Sequence, residues 1–191
     1  LKKKQEDNSY LNIVKESSGN IVNVANNIID ILNVYQRSGY NNSDIELNAV
    51  IKECVNCFNV IAIKKKNKIV FKEVNPIIVN TDKDKLVQMI INLIDNSCKF
   101  TENGVVQISI KNKIVKISDT GIGISMEKQR IIDKIIDTRI EDFNFEESKG
   151  KVTGLGLLIC KYICKELGIK ISYKSQNGLG TVFYLDMTDL M

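Results

Sequence analysis

From Leu11 to Tyr35 the chain repeats apolar side chains at alternating steps of three and four. The series is Leu11, Val14, Ser18, Ile21, Ala25, Ile28, Leu32 and Tyr35, with Ser18 its only polar member. This is the a/d seam of a coiled coil or helical bundle, and it predicts one helix about 40 Å long at ~1.5 Å per residue. Such a stripe needs other helices to cover it, and this part of the chain supplies only one of that length. A partner chain, or a first helix upstream, is implied. Arg37, Ser38 and Gly39 end the helix with a basic residue in its last turn and a glycine beyond. Tyr40 to Asp44 is polar and reads as a linker.

Beyond the linker the pattern alternates between the two periods. A short strand near Ile45 to Leu47 leads to a helix from Asn48 to Lys65, with Ile51, Val55, Phe58 and Ala62 on one face. A strand from Lys68 to Val74 runs up to the single proline, Pro76. A helix from Asp84 to Phe100 precedes two strands, Val105 to Ile110 and Ile114 to Ser118, joined by Lys111, Asn112 and Lys113 as a tight turn. Thr138 to Val152 is polar with little periodicity. A helix from Gly154 to Leu167 is followed by strands Lys170 to Ser175 and Thr181 to Asp186, connected through Gln176 to Gly180. The order predicts an α+β fold, a two-layer α/β sandwich with helices on one face of a mixed sheet, preceded by the long bundle-forming helix.

Composition narrows what this frame can do. At roughly 150 residues per domain, 191 residues allow one domain with an appendage or two small ones. The chain has no histidine, which excludes a Ser-His-Asp triad, a Cys-His pair, a His-bearing zinc site and any imidazole acid or base. Its charge of +4 is mild and carried mostly by Lys, so the runs Lys2 to Lys4 and Lys64 to Lys66 read as solvated helix ends and no nucleic-acid partner is expected. No apolar run approaches the ~18 residues of a membrane span, so no membrane contact is expected of this segment. Five cysteines form no paired framework. Cys54 and Cys57 are a lone C-x-x-C in a helix, and reduced, structural thiols in an intracellular compartment are expected. A chain that begins at Leu1 reads as a fragment of something longer.

Four pieces carry candidate chemistry. Asp119-Thr120-Gly121-Ile122-Gly123-Ile124 follows a strand, where glycines let backbone approach a ligand and Asp119 offers an acceptor at the strand tip. Taken alone it also fits an ordinary turn. Thr153-Gly154-Leu155-Gly156-Leu157 opens a helix, whose free N–H groups and positive dipole end suit phosphate oxygens. Gly178-Leu179-Gly180-Thr181 by itself is no more than a hairpin turn. Asn92 and Asn96 share a face of the Asp84–Phe100 helix, with Lys99 along nearly the same stripe. An amide oxygen suits a hard Mg²⁺ held mainly by phosphates and water, and a lysine neutralises phosphate beside it.

In this order the four pieces resemble the asparagine box and three glycine boxes of the catalytic ATP-binding domain of sensor histidine kinases, within the wider gyrase, chaperone and mismatch-repair ATPase superfamily. The resemblance rests on Asn92 to Thr101, Asp119 to Ile124, Thr153 to Leu157 and Gly178 to Phe183, and covers roughly Ile45 to Met187. It implies the Bergerat-type ATP-binding fold for residues 48–191, with 40–47 as linker and first short strand. Residues 1–39 resemble the second helix of a dimerisation and histidine-phosphotransfer hairpin whose first, histidine-bearing helix is not in this sequence.

The resemblance implies ATP and Mg²⁺ as cofactors. It makes Asn96 the Mg²⁺ ligand, Asn92 a polar neighbour of the phosphates and Lys99 a phosphate contact, these three being the catalytic set. Phe100 would lie beside the nucleoside and Asp119 would accept from the adenine amino group. Gly121 and Gly123 would allow the base to approach, Thr153, Gly154, Leu155 and Gly156 would line the phosphate side, and Thr181 would support the adenine pocket. Hydrolysing members of the superfamily carry a glutamate where this chain has Asn92, so an amide favours holding ATP intact for transfer to an external nucleophile. The family's aromatic box is not evident between Gly123 and Gly154, where Phe143 and Phe145 stand as substitutes. The implied partners are a second copy of the chain, through the N-terminal helix, and a response-regulator receiver domain. The implied location is cytoplasmic, whether free or as the cytoplasmic part of a membrane-anchored sensor. A catalytically silent nucleotide-binding regulatory domain of the same fold is the alternative.

Overall fold

The computed structural model describes residues 41–137 and 155–190. The chain divides between Ser38 and Gly39, and every described residue belongs to the second unit. The predicted bundle helix, the polar stretch from Thr138 to Val152, and Thr153 and Gly154 lie outside the described residues.

Eleven elements make up the described part: β1 (Asn42–Glu46), α1 (Leu47–Lys64), β2 (Lys68–Phe71), β3 (Ile78–Asp82), α2 (Lys83–Lys99), β4 (Val105–Lys111), β5 (Ile114–Asp119), α3 (Met126–Asp137), α4 (Leu155–Leu167), β6 (Lys170–Gln176) and β7 (Gly180–Asp186). The main sheet has the order β2-β4-β5-β7-β6, with β2 parallel to β4 and the other neighbours antiparallel. A separate antiparallel pair, β1 and β3, contacts α2.

The inner face follows from the alternation in β4, β5 and β7. Ile108 pairs with Ile117 and Ile117 with Phe183; Ile110 pairs with Val115 and Val115 with Leu185. All of these are buried, while their chain neighbours are half-exposed or exposed. Helix α2 packs on β4 and β5, with α1 and α4 on either side of it. Its side chains Leu86, Met89, Ile90, Leu93 and Ile94 have no exposed surface, each such burial being favourable by about 1.5–3 kcal/mol. The two layers are those expected of an α+β sandwich.

Local signals explain the boundaries. Glu46 caps α1, its carboxylate accepting from the Asn48 and Ala49 amides, which starts the helix at Leu47 and leaves the preceding residues to pair with β3. The segment expected to be linker is therefore strand from Asn42. Asp82 caps α2 by accepting from the Lys85 amide at 3.1 Å. The β4–β5 turn is a two-residue hairpin with Asn112 and Lys113 both at positive φ. Two elements go beyond the sequence reading, β3 and α3, and β2 stops at Phe71 rather than continuing to Val74. All five cysteines are free, and burial raises the pKa of Cys54 to about 12 and that of Cys98 to about 11. Among the described residues no helix is long and apolar enough to cross a membrane.

Candidate functional site

The candidate residues gather along the C-terminal half of α2, where three segments meet it. The first meeting is with the start of α4. A Cβ on Gly156 would lie 3.8 Å from Asn92 Oδ1 and 3.9 Å from Asn96 Nδ2, so the glycine that opens α4 faces both amides across a gap that a side chain would narrow. The Asn92 Nδ2 atom is buried and makes no hydrogen bond of normal geometry among the described residues. The fully buried Cys160 thiol lies near enough to feel that amide, which weakly opposes the burial that raises the thiol's pKa.

The second meeting is at the tip of β5. Asp119 Oδ1 accepts from the Gly121 amide at 2.9 Å and the Thr181 amide at 3.2 Å, and the Ser97 hydroxyl of α2 lies beside the same carboxylate. Burial pushes the Asp119 carboxyl above its ordinary value, and these donors oppose the shift. A carboxylate offers about four acceptor positions. Both backbone amides fall on Oδ1, which leaves Oδ2 open to a further N–H. Thr181 is buried, its hydroxyl 2.9 Å from Ser175 Oγ, so it orients the carboxylate through its backbone.

The third meeting concerns the glycine loop itself. Ile122 donates from its amide to the Phe100 carbonyl at 3.1 Å, and the Ile122 carbonyl accepts from Gly178 at 2.7 Å. A Cβ on Gly121 would come within 2.2 Å of the Phe100 carbonyl oxygen, and one on Gly123 within 2.0 Å of the Gln176 carbonyl oxygen. The space left by these glycines is filled by the protein's own backbone. A cavity of about 620 Å³ opens outside this loop, bordered by Lys99, Phe100, Thr120, Gly121, Ile122 and Gly178. Phe100 is 45% exposed there, and Ile122 64%. Lys99 extends to Asp95 one turn back, at 2.5 Å, so its charge is partly answered within α2.

The described part therefore brings Asn92, Asn96 and Gly156 together, and separately Asp119, Gly121 and Thr181, with α2 spanning both groups. Lys99 and Phe100 border the open cavity. Gly123 packs against the β6–β7 hairpin, Leu155 begins α4, and Thr153 and Gly154 are outside the described residues. Ser97 was not among the sequence candidates, although it is the one small hydroxyl on the buried side of α2 beside Asn96. Among the described residues no group of three or more Cys, Asp or Glu side chains is placed to hold a metal. The Asn96 amide can offer one oxygen, which fits an ion held mostly by water and phosphate and no all-protein cage.

Residues 81–189 match the model of the family described as histidine kinase-, DNA gyrase B- and HSP90-like ATPase. Among curated proteins, the chain is 34% identical over 117 residues to the hybrid signal transduction histidine kinase B of Dictyostelium discoideum, a match that covers 56% of this chain and 6% of that protein. It is 31% identical over 127 residues to the sensor histidine kinase YclK of Bacillus subtilis (strain 168), covering 64% of this chain and 26% of the relative. The chain thus spans only a small part of the length of these relatives. Among solved structures, the histidine kinase ThkA in complex with the response regulator protein TrrA superposes with a TM-score of 0.67 at 23% identity, over 88% of this chain and 48% of that one, a likeness of fold.

Proposed function

We propose, from the premise that the chain belongs to the histidine kinase-, DNA gyrase B- and HSP90-like ATPase family, that it is the ATP-binding catalytic module of a two-component sensor histidine kinase. It passes the terminal phosphoryl group of ATP to a histidine on a dimerisation helix. The chain has no histidine of its own, so the acceptor belongs to a helix outside this sequence. Residues 1–39 are then the second helix of that hairpin, 40–47 the linker and first strand, and 48–191 the catalytic domain.

One observation carries the reading: Gly156 brings the start of α4 against Asn92 and Asn96, and both are amides. An amide cannot take a proton from water as a carboxylate does, so the site is suited to positioning and charge neutralisation. In this reading Asn96 is the protein's ligand to Mg²⁺, which when bound neutralises phosphate charge. Asn92, whose Oδ1 borders the gap at Gly156, is a polar neighbour of the phosphates. Lys99 exchanges its bond with Asp95 for a phosphate. Asp119 uses its remaining acceptor position for the adenine amino group, Phe100 flanks the nucleoside and Thr181 holds Asp119 in place. Gly121 and Gly123 let the loop close on the Phe100 and Gln176 carbonyls and so shape the wall facing the base, while Thr153, Gly154 and Leu155 line the phosphate side. The partners are a second copy of the chain and a response-regulator receiver domain, the latter supported by the complex of the ThkA kinase with its regulator.

The test restores a histidine-bearing helix upstream and supplies ATP labelled at the terminal phosphate with Mg²⁺. The expected result is an acid-labile, base-stable phosphoprotein, slow release of free phosphate, and loss of labelling in Asn96→Ala. Fast phosphate release abolished by Asn96→Ala, without phosphohistidine, would make the protein a hydrolase. Tight ATP binding with neither product would make it a silent regulatory domain.

A further inference from the structure

We propose that Asn67, assisted by Lys65, is a positioning residue of the nucleotide site, acting from outside all four motifs. It locks the turn that follows α2 against the α1–β2 connection, and so fixes the wall on which the Asp119–Ile124 loop stands. The inference rests on the ATP-binding reading above.

Asn67 is a polar side chain only 6% exposed, and it uses both ends of its amide. Nδ2 donates to the Thr101 carbonyl at 2.7 Å and the Cys98 carbonyl at 3.4 Å, while Oδ1 accepts from the Gly104 amide at 3.1 Å. Lys65 Nζ donates to the Lys99 carbonyl at 2.7 Å, and the Lys65 carbonyl accepts from the Asn103 amide at 3.2 Å. The last carbonyls of a helix have no partner within it, and here two of them, Cys98 and Lys99, are satisfied from a segment more than thirty residues away. The grip falls on both sides of Phe100.

Phe100 transmits it. Its carbonyl oxygen accepts from the Ile122 amide and lies 2.2 Å from where a Gly121 Cβ would be, and the Gly121 amide in turn holds Asp119 Oδ1. A displacement of the Cys98–Gly104 turn therefore moves the Phe100 ring and the Asp119 carboxylate together. The position requires a donor and an acceptor at fixed separation. Aspartate would turn an oxygen without a proton toward two carbonyls, and alanine would leave the Thr101 carbonyl and Gly104 amide unanswered.

The experiment uses the 191-residue chain as Asn67→Ala and Asn67→Asp, with Lys52→Ala as the control, since Lys52 of α1 pairs with Glu73 at the exposed surface. ATP affinity is measured by calorimetry, and amide hydrogen exchange is followed at Gly104 and Ile122. Asn67→Ala is expected to raise the Kd for ATP roughly tenfold and to speed exchange at both amides, while amides in the β5–β7 ladder keep their protection. Asn67→Asp is expected to be worse. A variant that melts earlier yet keeps its Kd within twofold and its Ile122 protection would show a purely structural role and overturn the proposal. If neither variant folds, Lys65→Met removes only the exposed bond to the Lys99 carbonyl. A rise in Kd of about threefold is then expected, and an unchanged Kd overturns the proposal. Failure of the unmodified chain to bind ATP would instead overturn the functional reading.

Discussion

Gly180 and Gly156 both border the candidate site, and their missing side chains serve different ends. At Gly180 φ is +92°, and a Cβ would meet the Asp119 carbonyl oxygen at 2.0 Å. At Gly156 the nearest atoms are the amide groups of Asn92 and Asn96, at 3.8 and 3.9 Å, an ordinary contact distance. The first glycine lets two backbone segments close on one another. The second leaves room beside two amide side chains, which in the proposed reading face the ligand. Glycine in a motif is thus no single signal: at the strand tip it builds the wall, and at the start of α4 it leaves the space.

That contrast is broken most severely by Gly180→Ala. The positive φ alone costs about 1–2 kcal/mol for a residue with a Cβ, and the 2.0 Å overlap adds to it. The denaturation midpoint is expected to fall by several degrees with Asp119 displaced; an unchanged midpoint would show that the turn relaxes freely.

Asp119→Asn probes the wall from the ligand side. It is expected to weaken ATP binding by about ten- to a hundredfold while leaving the fold intact. The pH dependence separates the two roles of this residue. Because burial raises the Asp119 pKa above 3.8, its contribution to the stability of the unliganded fold is complete below that value and is lost as pH rises through the raised pKa. A hydrogen bond from adenine favours the ionised carboxylate, so ATP affinity runs the other way and weakens as pH falls through the same range. Calorimetry across mildly acidic pH should show this slope in the native protein and its absence in Asp119→Asn.

The smallest effect on the fold is expected for Gly156→Ala. Within α4 the new methyl group meets no backbone, and replacing glycine in a helix is favourable by about 0.5–1 kcal/mol. Stability should hold or rise while ATP affinity drops severalfold, measured on the same sample. A loss of stability larger than the loss of affinity would place Gly156 with Gly180.

Much of the fold was legible in the sequence. The long apolar periods of α1, α2 and α4 and the alternation in β4 to β7 depend on burial of one face, which leaves a mark at every second or third residue. The Lys111–Lys113 turn was legible because so short a connection leaves few backbone solutions. Strand β3 was not: Ile78–Asp82 is five residues of mixed polarity, and its partner β1 lies more than thirty residues earlier. Helix α3 carried a usable signal in Ile131, Ile132 and Ile135, but only Ile135 is buried, so the stripe is short. At the site, the motif residues could be listed from the resemblance that their order carries, whereas Ser97 and Asn67 could not, since a lone hydroxyl or amide has no periodicity.

The sequence by itself determined which chemistry was available: amides, a carboxylate at a strand tip, glycine turns and lysines, with no imidazole, arranged in the order that marks the ATPase family. That information is local, because residue type and spacing decide what a helix face or a turn can present. Only the tertiary structure decided that Asp119 is oriented by Thr181 and Gly121, that Lys99 pairs with Asp95, and that the backbone of Phe100 and Gln176 takes the space beside Gly121 and Gly123. The Thr181, Phe100 and Gln176 contacts join segments distant in the chain, and packing selects them by excluding every arrangement in which two buried backbones collide or a buried polar group goes unanswered.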